Sequence, residues 1–71
     1  MNKINGTRDE IIAAIDNNVI GFKSIRNRAI LKDHFIDGLT YEEVAEKHGI
    51  STRQAKQIAH NYTNSIRQYV E

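Results

Sequence analysis

Seven polar side chains crowd into ten positions of the C-terminal third: Ser51, Thr52, Arg53, Gln54, Lys56, Gln57 and His60. Their chemistry is that of hydrogen bonding to a nucleic acid. Arginine grips guanine bidentately, and glutamine does the same for adenine. Serine, threonine and lysine hold phosphates, which position a protein on a duplex without reading its sequence. Ala55, Ile58 and Ala59 interleave with these residues at helical spacing. The pattern predicts a helix with the apolar set inward and the polar set outward. Arg53 and Gln57 then stand one turn apart and are the expected base readers. Thr52 is placed at a thymine methyl or a phosphate, and Ser51 and Lys56 at phosphates. The plainer reading is that any exposed helix face is polar, so each residue taken singly serves only solubility.

Such a face reads a groove only if something holds it out. The stretch Tyr41 to His60 has the spacing of a helix-turn-helix, two helices joined by a very short turn. Ala45 is the small residue where the second helix crosses the first. Gly49, four positions later, supplies the turn that needs positive φ. Ile50 plugs the corner, and Val44, Ala55 and Ile58 fill the inner positions. An ordinary helical hairpin would need fewer of these coincidences.

The rest of the chain punctuates itself. It has no proline and four glycines, Gly6, Gly21, Gly38 and Gly49, each between helical patterns. Thr7-Arg8-Asp9-Glu10 opens a first helix as a capping box. Ile11, Ile12, Ile15 and Val19 recur along it, and Asn17-Asn18 predicts fraying before Gly21. A second helix is expected from Ser24, with Ile25, Ala29, Ile30, Leu31 and Phe35 as its apolar face. It should stop at Asp37-Gly38, with Leu39 folding back over the end. Thr40-Tyr41-Glu42-Glu43 is a second capping box. The last helix opens at Ser51 or Thr52, and its apolar face continues through Tyr62 and Ile66 to Tyr69 or Val70. The expected fold is therefore all-α: residues 1–71 as a single four-helix domain, with a C-terminal helix-turn-helix and a long last helix.

Composition sets bounds. A chain of 71 residues buries only about 60% of the surface its unfolded form exposes, so its core is marginal. Net charge is +1, but its distribution is uneven. Lys23, Arg26, Arg28 and Lys32 form an acid-free basic run, and Ser51 to Val70 carries Arg53, Lys56 and Arg67 with no acid. Glu42, Glu43 and Glu46 lie between. A chain neutral overall can thus still turn a basic side to a phosphate backbone. Arg26, Arg28 and Lys32 are candidates for contacting the DNA backbone beside the recognition helix. The absence of cysteine, of a leader-like stretch and of any apolar run near 20 residues predicts a soluble, cytoplasmic chain without disulfides or membrane attachment.

The stretch Arg28-Ala-Ile-Leu-Lys-Asp-His-Phe-Ile-Asp-Gly-Leu-Thr-Tyr-Glu-Glu-Val-Ala-Glu-Lys-His-Gly-Ile-Ser resembles region four of bacterial primary sigma factors. Those share a Phe-x-Asp-Gly-Leu-Thr-x-x-Glu-Ile-Ala turn and helix, then Gly-Ile/Val-Ser, and Lys56-Gln57-Ile58 resembles their recognition helix. The likeness covers roughly residues 26 to 58. It departs at Asp33, where sigma factors usually bury a leucine, and the stretch holds no counterpart of the other sigma regions. The same residues are similar to the PapB family of adhesin-operon regulators, which shares Ala-x-x-Lys/Arg-Asp and Asp-Gly-Leu-Ser/Thr. Either resemblance implies a DNA-binding helix-turn-helix. The second implies a regulator that oligomerises on DNA.

Other chemistries find little support. His34, His48 and His60 are scattered, with no His-x-x-x-His and no cysteine to complete a zinc site. His34 reads as partly buried near a helix end, His48 as a C-terminal cap, and Glu43 with Lys47 as an ordinary i,i+4 pair. No phosphate loop or nucleophile–base pairing appears, so no enzyme, metal or cofactor is expected. Ile12, Ile15 and Phe22 are expected to complete the core. Ile66 to Val70 is expected to pair with a twin, setting two recognition helices about 34 Å apart. The expected function is sequence-specific binding of double-stranded DNA by a transcriptional regulator acting as a homodimer or higher oligomer. The alternative is a module resembling sigma region four that binds RNA polymerase or another transcription protein.

Overall fold

The computed structural model describes residues 6–70. Four helices follow one another: α1 (Arg8–Asn18), α2 (Ser24–Phe35), α3 (Tyr41–His48) and α4 (Thr52–Val70). Among the described residues there is no strand. No helix there is long and apolar enough to cross a membrane.

The capping residues set the helix starts. Thr7 Oγ1 accepts from the Glu10 amide at 3.2 Å, and the Glu10 carboxylate accepts from the Thr7 amide at 2.9 Å. Thr40 and Glu43 repeat the exchange at 3.1 and 2.9 Å. Ser51 and Gln54 do so at 3.1 and 3.0 Å. Each exchange satisfies amides that the first helical turn leaves without partners. Backbone hydrogen bonding holds the Glu10 and Glu43 carboxyls below their ordinary pKa, and the threonine hydroxyls add to it. α2 differs, since it starts behind Lys23, a non-glycine residue in the left-handed region at φ 62° with no side-chain cap. It ends at Phe35, two residues before the expected stop. The chain then closes through amides of Ile36 and Asp37 on the Lys32 carbonyl, and of Leu39 on the Asp33 carbonyl.

Two apolar clusters meet in the interior. Ile11, Ala14, Ile15 and Val19 of the α1 segment pack with Leu31, Ala59 and Ile66. Ile30, Val44, Ala45 and Ala55 form the second, covered by Leu39, Tyr41, Ile50 and Ile58. Burying each isoleucine, leucine or valine among them contributes about 1.5–3 kcal/mol. The first cluster pins the far half of α4 to α1, and the second locks α3 across its near half. The helix-turn-helix is therefore one end of a continuous core.

Three expectations about the core need correction. Phe22 is 89% exposed, because the chain leaves α1 through buried Val19 and then turns outward at Gly21. Ile25 is 84% exposed. At about 100° per residue it stands about 200° around α2 from buried Asn27 and about 140° from Ile30, on the opposite face. Ile66 is fully buried, so it belongs to the core of one chain and is not free to meet a twin. At that end of α4, Tyr69 remains 52% exposed, its hydroxyl 3.4 Å from the Asn17 amide nitrogen.

Candidate nucleic-acid interface

The corner between α3 and α4 has the anticipated geometry. Ala45 and Val44 are buried, and Gly49 is left-handed at φ 68° and gives its amide to the Ala45 carbonyl. The Ile50 amide bonds the same carbonyl at 3.0 Å. Ile50 and Ile58 are partly buried, and Ala55 is fully buried. The turn thus brings the start of α4 directly off the end of α3, with Ala55 and Ala59 inward.

The outward residues divide by what else they do. Arg53, Lys56 and His60 are exposed, and their side chains make no hydrogen bond or ion pair to another described residue. Gln57 is exposed, and its amide nitrogen donates to the Asn61 side-chain oxygen at 2.8 Å. These four line one shallow groove of about 330 Å³ with Tyr41 at its far wall. Ser51 and Gln54 are exposed but spend their side-chain oxygens on the α4 cap. Thr52 is half-buried at the start of the helix.

The cations of α2 lie outside this groove. Arg28 Nε donates to the Val19 carbonyl at 2.7 Å, which ties α2 to the end of the α1 segment. Arg26 donates through Nε and Nη2 to the Asn27 side-chain oxygen at 3.3 and 3.1 Å. Lys32 pairs with Asp16 at 2.8 Å. All three are at least partly engaged in holding the fold.

Tyr41 was not anticipated as a wall of the groove. It stacks on His34, ring centroids 4.3 Å apart and planes at 19°, while His34 Nδ1 lies 2.8 Å from the Leu39 carbonyl. Nothing in the local sequence marked it, because whether α4 passes in front of Tyr41 depends on how the helices pack.

A buried carboxylate supports the platform from behind. Asp33 is 6% exposed, and its carboxylate meets Lys47 Nζ at 3.0 Å and His48 Nε2 at 2.7 Å. Burial by itself would raise its pKa. The His48 and Lys47 hydrogen bonds and charges outweigh burial and hold the carboxyl below its usual value. Two expectations change accordingly. Lys47 pairs with Asp33 while Glu43 caps Thr40, and His48 braces α3 against α2 through Asp33. Among the described residues no cluster of His, Asp or Glu could hold a metal ion.

No curated protein and no solved structure matches the chain. The family model for region 4 of sigma-70 matches residues 24–68, which takes in α2, α3 and nearly all of α4 and leaves α1 outside. Well over half of the chain is covered, and the covered part contains the turn at Gly49 and the whole groove. With its helix-turn-helix in place and its sequence matched over these three helices, the chain belongs to the sigma-70 region 4 family of DNA-binding helix-turn-helix domains.

Proposed function

We propose that this protein is a transcriptional regulator that binds double-stranded DNA sequence-specifically, with the first half of α4 in the major groove. One observation carries the reading. Arg53, Lys56, Gln57 and His60 share one open groove, and no acidic residue stands on α4 to repel phosphates. In this motif the N-terminal part of the second helix meets the base edges. Arg53 and Gln57, one turn apart, are the proposed base readers. Lys56 and His60 face phosphates, and Thr52 takes a thymine methyl or a phosphate. Gln54 contributes its side-chain NH2 at the helix start and Ser51 its hydroxyl, turned from the Gln54 side-chain oxygen to which it donates at 3.3 Å, and Arg26 and Arg28 take the flanking backbone with the donors their internal bonds leave over. The protein is proposed to work in the cytoplasm.

Binding as a homodimer on two half-sites about one helical turn apart is part of the proposal. Tyr69 is the exposed apolar side chain at the far end of α4 that such a pair would cover. Selection from a random duplex pool, followed by titration at several salt concentrations, tests the whole reading. A defined sequence is expected, with affinity falling steeply as salt rises, because each phosphate contact releases counterions. No affinity for bare duplex would overturn it and leave a module that contacts only other transcription proteins.

A further inference from the structure

The turn from α1 into α2 exposes what a marginal core would be expected to bury. Ile20 is 69% exposed, Phe22 89% and Ile25 84%, while Val19, Ile30 and Leu31 around them are buried. Isolated exposed apolar residues are commonplace, but three large ones stand within six positions at one turn. The turn is held in shape. The Ser24 amide bonds the Gly21 carbonyl at 3.1 Å, and Arg28 clamps the Val19 carbonyl. Between them Lys23 keeps a left-handed backbone, which a non-glycine residue adopts only where its surroundings hold it there. A turn whose backbone is already fixed has that much less to order on binding.

The rim of the turn identifies what fits it. Lys23 Nζ stands 5.5 Å from the centre of the Phe22 ring, Arg26 lies one residue beyond Ile25, and no acid occurs from Asn17 through Lys32. A second copy of this chain would bring equally basic rims together, which is unfavourable at short range. Anionic lipid would meet the charge, but three side chains on a rigid corner offer little depth of insertion.

We propose that the Ile20–Phe22–Ile25 corner is a docking surface for an acidic amphipathic segment of another protein, whose apolar face receives Phe22 and whose carboxylates meet Lys23 and Arg26. The surface uses residues of the α1–α2 turn and the start of α2, none of which lines the groove of α4. The proposal does not depend on the DNA-binding reading.

The test uses the full chain, labelled with ¹⁵N, and a synthetic helical peptide with leucine on one face and glutamate on the other. A second peptide with lysine for glutamate is the control. The acidic peptide is expected to shift amides from Ile20 to Arg26, and Phe22→Ser to weaken it by about tenfold or more, as for an interface anchor. Phe22 and Ile25 are exposed, so Phe22→Ser and Ile25→Ser should melt as the parent does. The double variant Lys23→Glu, Arg26→Glu should exchange the preference and take the basic peptide. Absence of shifts at these amides, equal binding of both peptides, or shifts confined to the cations of α4 would overturn the proposal. So would shifts of the same amides on concentrating the protein alone, which would mark a second copy, or a stronger response to phosphatidylserine vesicles than to the peptide. Both readings use Arg26, but a duplex titration of the same sample reports through the amides of α4 and the peptide through Ile20 and Phe22, so failure of either reading leaves the other measurable.

Discussion

The Asp33 carboxylate accepts a hydrogen bond from His48 Nε2 at 2.7 Å, joining the last turn of α2 to the last residue of α3. A carboxylate that is ionised can only accept, so the proton sits on Nε2. Lys47 approaches the other oxygen from the solvent side. The helix that carries the Gly49 turn is therefore braced from behind by a buried carboxylate of α2.

Removing that brace should cost stability in a pH-dependent way. The folded pKa of Asp33 lies below its ordinary value of 3.8. Its contribution is therefore complete above that value and is lost as pH falls through the lower folded one. Asp33→Asn should lower stability at pH 7 by about 1–3 kcal/mol, the cost of a lost buried hydrogen bond to charge. Thermal melts of the parent from pH 7 to pH 2 should show a fall at the acid end that is smaller in the variant. Equal acid sensitivity of the two proteins would show that Asp33 is not the group responsible.

Gly49 has φ 68° and open space where a Cβ would stand, with nothing within 4 Å. Any penalty on substitution is thus one of backbone conformation. Gly49→Val should cost about 1–3 kcal/mol, the range for a residue held in a sparsely populated region. Gly49→Asn should cost much less, since asparagine tolerates the left-handed region. Chemical denaturation of the two variants checks the order; equal losses would count against the turn conformation.

Arg53 is exposed and its side chain makes no hydrogen bond or ion pair to another described residue, so Arg53→Ala should leave the melt unchanged. On a duplex selected for binding it should lose about 1–3 kcal/mol, the worth of one base-reading contact. Gel-shift titration at fixed salt decides. Unchanged affinity for the selected site would remove Arg53 from the interface.

Ile66 is fully buried in the cluster that joins α1 to α4. Ile66→Ala should therefore destabilise the single chain by about 2–5 kcal/mol, the cost of a core cavity. The loss in melting temperature should be the same at micromolar and millimolar protein. A loss that grows on dilution would instead mark Ile66 as an intermolecular contact.

Local chemistry carried much of this protein into its sequence. The Thr7, Thr40 and Ser51 caps, the turn at Gly49 and the inward set Val44, Ala45 and Ala55 all follow from side-chain reach and from the 3.6-residue period. These act over a few positions and need no knowledge of the rest of the chain. The outward row on α4 was legible for the same reason, because whatever does not face Ala55 and Ala59 faces solvent. Tertiary structure alone decided the matters that depend on residues distant in sequence. Asp33 became a buried partner of Lys47 and His48 only because α3 packs back across α2. Tyr41 became a wall of the groove only because α4 crosses in front of it. Phe22 and Ile25 are as apolar as Ile15 and Ile66, and what separates them is whether another helix passes over each position, which periodicity along one helix cannot encode.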